Sequence, residues 1–315
     1  MKIFAINAYN NFPKVHAGSV IFSASKKQDQ KPDTFKRSKK PEDFYTLSKL
    51  AHSGQDVRIQ ELFRAQKYSP QTLVEILLMQ DKNGRTPLHK ALYGASLEGV
   101  LNYKQGELED IVRGDKALEK RLVEVGEIRE NIEDKPQYFS TVQTMLEPFS
   151  NNAEVLKRIF STQDNEGQTL LNSAVTLKNG YLESMLCHFG NHTNALKEVL
   201  LNREKYNERT LLHSLVENSE QVGTISAILL VFKDDPVALR ELVMAQDWAG
   251  NTPVHFAIIN NRPKNLEVLL KALKDNPKDI KDALLSENKN KRTPFNYVKF
   301  DDDEISQVVL SYVKI

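Results

Sequence analysis

Three histidines occupy the same position of a recurring segment, and they are the residues whose type first suggests metal chemistry. His89, His213 and His255 each stand three residues after a threonine. Imidazole is a common zinc ligand, and zinc requires its ligand atoms within about 2.0–2.1 Å. Equivalent residues of stacked helical units lie about 10 Å apart, as packed helices do. The repetition therefore favours a structural role for these histidines over a shared metal site.

A second group with ligating atoms consists of Cys187, His188 and His192. Adjacent residues of a helix point in different directions, and the ligands of a structural zinc site are usually separated by two or more positions. Cys187 is the single cysteine of the chain, so an internal disulfide cannot form, and we expect its side chain to be buried. We predict no metal and no cofactor here.

Motifs for phosphate binding or nucleophilic catalysis do not occur. The chain has no Walker loop, no G-x-S-x-G, no H-E-x-x-H and no dinucleotide fingerprint. The sequence thus predicts a protein that is not an enzyme, with no catalytic residue assigned. The alternative is an enzyme, or an enzyme subunit, whose site lies in the irregular region 94–137.

Charge and hydropathy exclude two further classes. Lys plus Arg number 43 against 42 for Asp plus Glu, so no overall positive field attracts nucleic acid. The basic run from Lys36 to Lys40 is flanked by Asp33 and Glu42, which favours a solvated linker over a phosphate-binding or nuclear-import segment. The longest apolar run, residues 227–232, is far shorter than the roughly 20 residues that a membrane span requires. We expect neither nucleic-acid binding nor a membrane span.

Internal repetition is the main signal in the chain. The segment DKNGRTPLHKAL at residues 81–92 recurs as DWAGNTPVHFAI at residues 247–258, and weaker copies keep the same register. The marker threonines are Thr86, Thr169, Thr210, Thr252 and Thr293, at intervals of 83, 41, 42 and 41 residues. The first interval is about twice the others, which predicts a unit without the motif near residue 127.

Each unit is predicted to contain three helices. After the Asp-x-x-Gly turn, the threonine hydroxyl is placed to cap a first helix, and apolar residues at i, i+3 and i+4 continue it. A second helix follows, for example with Leu266, Leu269 and Leu270. A further short run before each turn repeats apolar residues at i and i+4, such as Leu239 and Val243, which predicts an additional leading helix.

The T-P-L-H-x-A segments resemble the ankyrin repeat, whose period is about 33 residues. The resemblance implies an all-α, ankyrin-type helical solenoid, here with an extra short helix per repeat that accounts for the longer period. It also implies that the histidine hydrogen-bonds the turns of adjacent units, a role we assign to His89, His213 and His255. Asn172 and Asn296 replace the histidine in two copies, and we expect a weaker network there.

The chain is divided as follows. Residues 1–40 lack sustained periodicity and are expected to form a flexible leader. Residues 41–315 are predicted to form an array of about seven units, with a degenerate third unit at about 115–163 and a last helix, 304–315, that caps the stack. The stretch after residue 94 could be a motif-free unit or an inserted helical pair, and the sequence leaves both open.

The ankyrin resemblance places a partner-binding groove along the turn tips and the first helices. Trp, Tyr and Arg most often carry binding energy at interfaces, and the single tryptophan stands at a turn. The predicted partner-binding residues are Trp248, Tyr206, Arg209, Arg85, Lys82, Asn251, Tyr93, Ile259 and Arg292.

The resulting hypothesis is a protein–protein interaction module that binds another protein. The expected compartment is the cytoplasm. The chain also resembles the divergent ankyrin-repeat proteins of intracellular bacteria, which implies, as an alternative, a secreted effector that reaches the cytosol or nucleus of a host cell.

Overall fold

The structure is a computed structural model that describes residues 40–64, 68–95, 138–175, 177, 181–217, 221–300 and 303–313. In these ranges the chain is all-α, as predicted, and its only extended pairing is an isolated bridge between Gln163 and Thr169. The predicted leader, residues 1–40, lies outside the described residues except for its last residue. The helices are α1 Lys40–His52, α2 Asp56–Arg64, α3 Pro70–Leu78, α4 87–95, α5 Tyr138–Leu146, α6 Ala153–Phe160, α7 Leu170–Ala174, α8 Tyr181–Cys187, α9 Thr193–Leu200, α10 Leu211–Glu217, α11 Val222–Val231, α12 Pro236–Met244, α13 Pro253–Ile259, α14 Pro263–Ala272, α15 Pro277–Leu285 and α16 Glu304–Val313.

The predicted leading helix is present in front of every motif. These helices are α3, α6, α9, α12 and α15, and three of them begin with proline at the first helical position. The side chains of Ser69, Asn152, Asp235 and Asn276 cap four of them by accepting a backbone N–H of the first turn. The local sequence therefore sets where four of the five leading helices start, whereas α9 begins without a side-chain cap.

From α4 onwards, the first helix of each unit follows a turn and the motif threonine. Thr252 accepts the backbone N–H of His255, and the His255 ring accepts the N–H of Thr252 in return. In the last unit, a short 3₁₀ helix at Pro294–Tyr297 takes the place of the first helix. The predicted apolar positions of the first helices are all buried: Leu88, Ala91, Leu92, Val254, Ala257 and Ile258.

Units pack through equivalent helices. First helices contact one another, as α10 contacts α13, and second helices do so along the series α2, α5, α8, α11, α14 and α16. Leading helices form a third series from α3 to α15. Each unit thus covers the apolar face of its neighbour, and one continuous core runs through the described part of the chain.

The predicted third unit at 115–163 is wrong. The Asn165 N–H donates to the Asn83 carbonyl at 3.0 Å, so the turn at 81–86 pairs directly with the turn at 164–169. No repeat unit can lie between two turns that share a hydrogen bond. Instead α5 packs between α2 and α8 as the second helix of the unit that α4 begins, and residues 96–137, which lie outside the described residues, connect these two helices. The described chain accordingly has six units rather than seven.

The last helix ends the stack near its predicted bounds. It covers Glu304–Val313 and packs on α14. Asp303 accepts the N–H and the hydroxyl of Ser306, and these hydrogen bonds lower the pKa of Asp303. Along the described residues, no helix combines the length and the apolar character needed to cross a membrane.

Candidate surface for a partner protein

The turns before the first helices are built around a carboxylate or amide that points inward. Asp247 Oδ1 accepts the N–H groups of Ala249 and Asn251 at 2.9 and 2.8 Å. Asp81, Asp164 and Asn288 make the same pair of bonds in their own turns. These polar groups are hydrogen-bonded within the turn, and the side chains that face solvent at the tips include Lys82, Tyr206, Trp248 and Lys289.

Neighbouring turns are joined by backbone hydrogen bonds. The Trp248 N–H donates to the Asn207 carbonyl at 2.9 Å, and the Lys289 N–H donates to the Ala249 carbonyl at 2.9 Å. The Lys205 N–H donates to the Gly167 carbonyl at 3.3 Å. These bonds hold the backbone of consecutive tips in a fixed register. We call the side chains of these turns, together with the exposed residues of the first helices, the tip surface.

Two aromatic side chains stand on adjacent tips. Trp248 is 57% exposed and Tyr206 is 66% exposed. The Tyr206 hydroxyl donates to the Asn165 carbonyl at 3.2 Å, and the Lys205 ammonium lies 5.3 Å from the centre of the Tyr206 ring. A tryptophan that packed along its own turn would be largely buried. The exposure of Trp248 instead leaves its ring free for contact with another molecule.

The N-terminal end of the tip surface carries a third aromatic group. Tyr93 is 42% exposed on α4, and the Arg85 guanidinium lies 4.5 Å from the centre of its ring. The His52 ring of the preceding unit stacks on the other side, at 6.0 Å between centroids. Lys82 is exposed on the adjacent turn. Three predicted binding residues, Lys82, Arg85 and Tyr93, thus lie in one unit, beside His52 of the preceding unit.

Two of the predicted binding residues are engaged within the protein. Arg209 forms an ion pair with Glu217 at 3.1 Å and covers the Phe256 ring at 4.5 Å. The Asn251 carbonyl accepts from the His213 ring, and its side chain accepts from Asn288 at 2.8 Å. These two residues position the first helices. Ile259 and Arg292 are exposed, as the prediction requires.

The link between turns that was expected of all three motif histidines is made by two of them, His213 and His255. The Nε2 of His213 lies 3.0 Å from the Asn251 carbonyl and that of His255 lies 3.2 Å from the Arg292 carbonyl, each in the next unit. Because Nδ1 accepts a threonine N–H, Nε2 carries the proton in the neutral ring. The Nε2 of His89 makes no hydrogen bond of good geometry to a described residue. Burial lowers the pKa of His89 and of His213 to about 4.

Asn172, which replaces the motif histidine, also forms a hydrogen bond to the next unit, but to a different kind of acceptor. Its amide donates to the buried carboxylate of Glu204 in the next turn, and Asn207 donates to the other oxygen of that carboxylate. The shorter asparagine therefore bonds to a side chain where histidine bonds to a carbonyl.

Of the Cys187 cluster, His188 is buried, Cys187 is half-buried rather than fully buried as expected, and His192 is exposed. Burial raises the pKa of the Cys187 thiol to about 11, so the reactive thiolate is disfavoured. The buried His188 ring bonds Ser150 at 2.7 Å and Gln143 at 2.9 Å. Burial lowers its pKa to about 4, and an amide cannot stabilise an imidazolium as a carboxylate would, so the arrangement is unsuited to general base catalysis. Within the described ranges, no group of three potential metal ligands occurs.

Sequence reasoning missed some positions of the tip surface and of the contacts between units. Lys205 occupies a tip, and its turn is one residue longer than the others, which displaced the alignment. A ladder of side chains was also missed, in which Gln80, Gln163 and Gln246 each donate to the backbone of the next unit. The sequence contained a pattern that indicates this ladder, since each of these glutamines directly precedes the turn aspartate. The alternative site at 94–137 lies outside the described residues beyond residue 95.

Comparisons with known proteins do not assign the chain to a family. No family model matches it, and no curated protein matches it. A chain in a solved structure, the Bd0816 predatory endopeptidase from Bdellovibrio bacteriovorus in complex with immunity protein Bd3460, is similar with 16% identity and a TM-score of 0.44. The match covers 85% of this chain and 96% of that chain. At this identity and TM-score, the similarity supports no functional argument.

Proposed function

We propose that this chain is an ankyrin-type protein-interaction module that binds another protein through the tip surface. The observation that carries the proposal is the exposure of Trp248, 57%, on a turn whose backbone is fixed by a neighbouring unit. Large rigid aromatic groups on a preorganised backbone lose little conformational entropy on binding. The proposed compartment is the cytoplasm, with delivery into the cytosol or nucleus of a host cell as the alternative.

The test is affinity capture from whole-cell extract with the double variant Trp248→Ala, Tyr206→Ala. We expect the unmodified chain to retain a specific protein and the variant to lose it, because both aromatic contacts are gone. Circular dichroism checks that the variant is folded.

The matched control is Val237→Ala, Leu310→Ala, which removes exposed apolar side chains from α12 and α16, away from the turns. The control should retain the same protein as the unmodified chain. Equal retention by the aromatic double variant would refute the tip surface as the binding site.

A further inference from the structure

Three consecutive tips present a lysine, the tryptophan and another lysine. Lys205, Trp248 and Lys289 each donate their backbone N–H to the preceding turn, so they occupy equivalent positions in adjacent units. Adjacent units are about 10 Å apart, as packed helices are. The order of these side chains along the tip surface is therefore cationic, aromatic, cationic.

The two lysines differ from the other basic groups beside them. Arg209 pairs with Glu217, and Lys291 pairs with Glu287 at 3.2 Å. Lys205 and Lys289 are exposed and make no ion pair with a described residue. The turn carboxylates next to them are turned inward, since Asp247 and Glu204 are buried and hydrogen-bonded. Lys205 and Lys289 therefore present positive charge to solvent without an ion pair to a described residue, whereas the exposed carboxylates Glu208 and Glu287 pair with Arg203 and Lys291.

We propose that these three tips bind an acidic segment of the partner protein, an inference that rests on the proposed function of the tip surface. Carboxylates of the segment contact Lys205 and Lys289, and an apolar side chain between them packs on Trp248. A polyproline II segment places residues i, i+3 and i+6 on one face at intervals of about 9 Å, close to the spacing of the tips. The recognised pattern is then an acidic residue, an apolar residue three positions on, and a second acidic residue three positions further.

A nucleic acid fits the same surface less well. Single strands also bind to lysines and aromatic rings, but they carry a charge on every nucleotide. Glu166 and Glu208 are exposed on the tips before Trp248 and would repel a continuous phosphate chain. A peptide avoids this repulsion because it places its carboxylates only opposite the lysines.

The test uses a displayed library of random short peptides as the probe, with the full chain as bait. We expect the selected peptides to be enriched in Asp and Glu on both sides of an apolar residue. Binding of a selected peptide should change the fluorescence of Trp248, the single tryptophan of the chain, and should weaken as salt is added.

The decisive variant is Lys205→Glu, Lys289→Glu, which should weaken the selected peptide at least about tenfold, because attraction becomes repulsion at both ends. The control Lys264→Glu, Lys274→Glu changes the net charge equally at exposed lysines of α14 and its end, and it should bind as the unmodified chain does. A single-stranded oligothymidine should compete poorly with the selected peptide for binding to the chain.

The acidic-segment proposal would be overturned if the library yielded basic or purely apolar peptides, or no peptide at all. It would also be overturned if the control variant weakened binding equally, or if oligothymidine competed efficiently. The proposed function has its own criterion. If extract capture still depends on Trp248 and Tyr206 but not on the two lysines, only the acidic-segment proposal is wrong.

Discussion

At the residue scale, each repeated position does a local task that its chemistry explains. The glycines of the turns have positive φ, and in two units Glu208 and Lys291 adopt a similar backbone with φ of 53° and 56°. A side chain is therefore tolerated at this position where space allows. The motif threonines lie at the start of the first helices, and His213 and His255 also bridge to the next turn.

The substitution Gly250→Ala tests the requirement for glycine. Its φ is 81°, and a Cβ would lie 2.9 Å from the Lys289 backbone nitrogen, which donates to Ala249. We expect a loss of about 2 kcal/mol in the free energy of unfolding, measured by urea denaturation, from backbone strain and a weakened bond between turns. The control is Gly223→Ala in α11, where no atom lies within 4 Å of the new methyl group. There we expect a gain of up to about 1 kcal/mol, and a comparable loss at both sites would contradict the explanation.

The buried histidines predict a loss of stability in mild acid. Their pKa is about 6.5 in the unfolded chain, and burial lowers it to about 4 for His89, His188 and His213. Between these values the unfolded state binds more protons, so stability falls as pH drops from about 6.5 towards 4. Urea midpoints at neutral pH and at pH about 5 measure this dependence.

The variant His213→Asn serves as the control for the acid effect. Asparagine occupies this position in two other units, at Asn172 and Asn296. We expect a lower midpoint at neutral pH, because the bond to the Asn251 carbonyl is lost, but a smaller decrease on acidification. An unchanged decrease would show that His213 does not contribute to the pH dependence.

At the scale of the helices, the leading helix is the element that lengthens the repeat, and ion pairs join it to its neighbours. Lys157 of α6 pairs with Glu198 of α9, and Lys197 of α9 pairs with Glu241 of α12 at 2.7 Å. Arg240 of α12 reaches Asp279 and Asp282 of α15. From α6 to α12, each leading helix thus contributes a cation to the next one, in addition to burying its apolar residues.

Arg240→Met tests the pair that includes a buried carboxylate. Asp279 is 7% exposed, so removal of Arg240 leaves its charge with fewer partners. We expect a loss of about 1–2 kcal/mol in the free energy of unfolding, measured by urea denaturation. Lys233→Met is the control, since Lys233 and Asp234 are largely exposed and 3.8 Å apart, and it should change stability by less than about 0.5 kcal/mol. Equal effects would contradict a special role for Arg240.

At the scale of the whole molecule, stacking rather than a single central core holds the chain together. Second helices follow first helices after three to six residues in the three units from α7 to α14, whereas 42 residues separate α4 from α5. The turns on both sides of this long connection pair directly, and α5 stacks with α2 and α8. The stack of described units is thus continuous without residues 96–137.

We therefore expect the stack to fold when residues 96–137 are replaced by the shorter connection at 175–180. Helical content by circular dichroism, elution as a compact species and the urea midpoint should remain close to those of the unmodified chain. Loss of cooperative unfolding would contradict the assignment of 96–137 as an insertion. Retention of partner capture would place the binding surface in the stack.

The sequence alone determined the all-α class, the three-helix unit, the turns and the helix starts, because these depend on residues within about one helical turn of each other. Leu239 with Val243 and Thr252 with His255 are examples, and the structure has both as expected. The tertiary structure decided what the interval of 83 residues means, since only the bond between Asn165 and Asn83 shows that the two turns are neighbours. Among the predicted binding residues, it also distinguished Arg209 and Asn251, which bond within the protein, from Trp248, which is exposed. Contacts between units join residues about 40 or more positions apart, and local pattern carries no information on such pairs until the units are stacked.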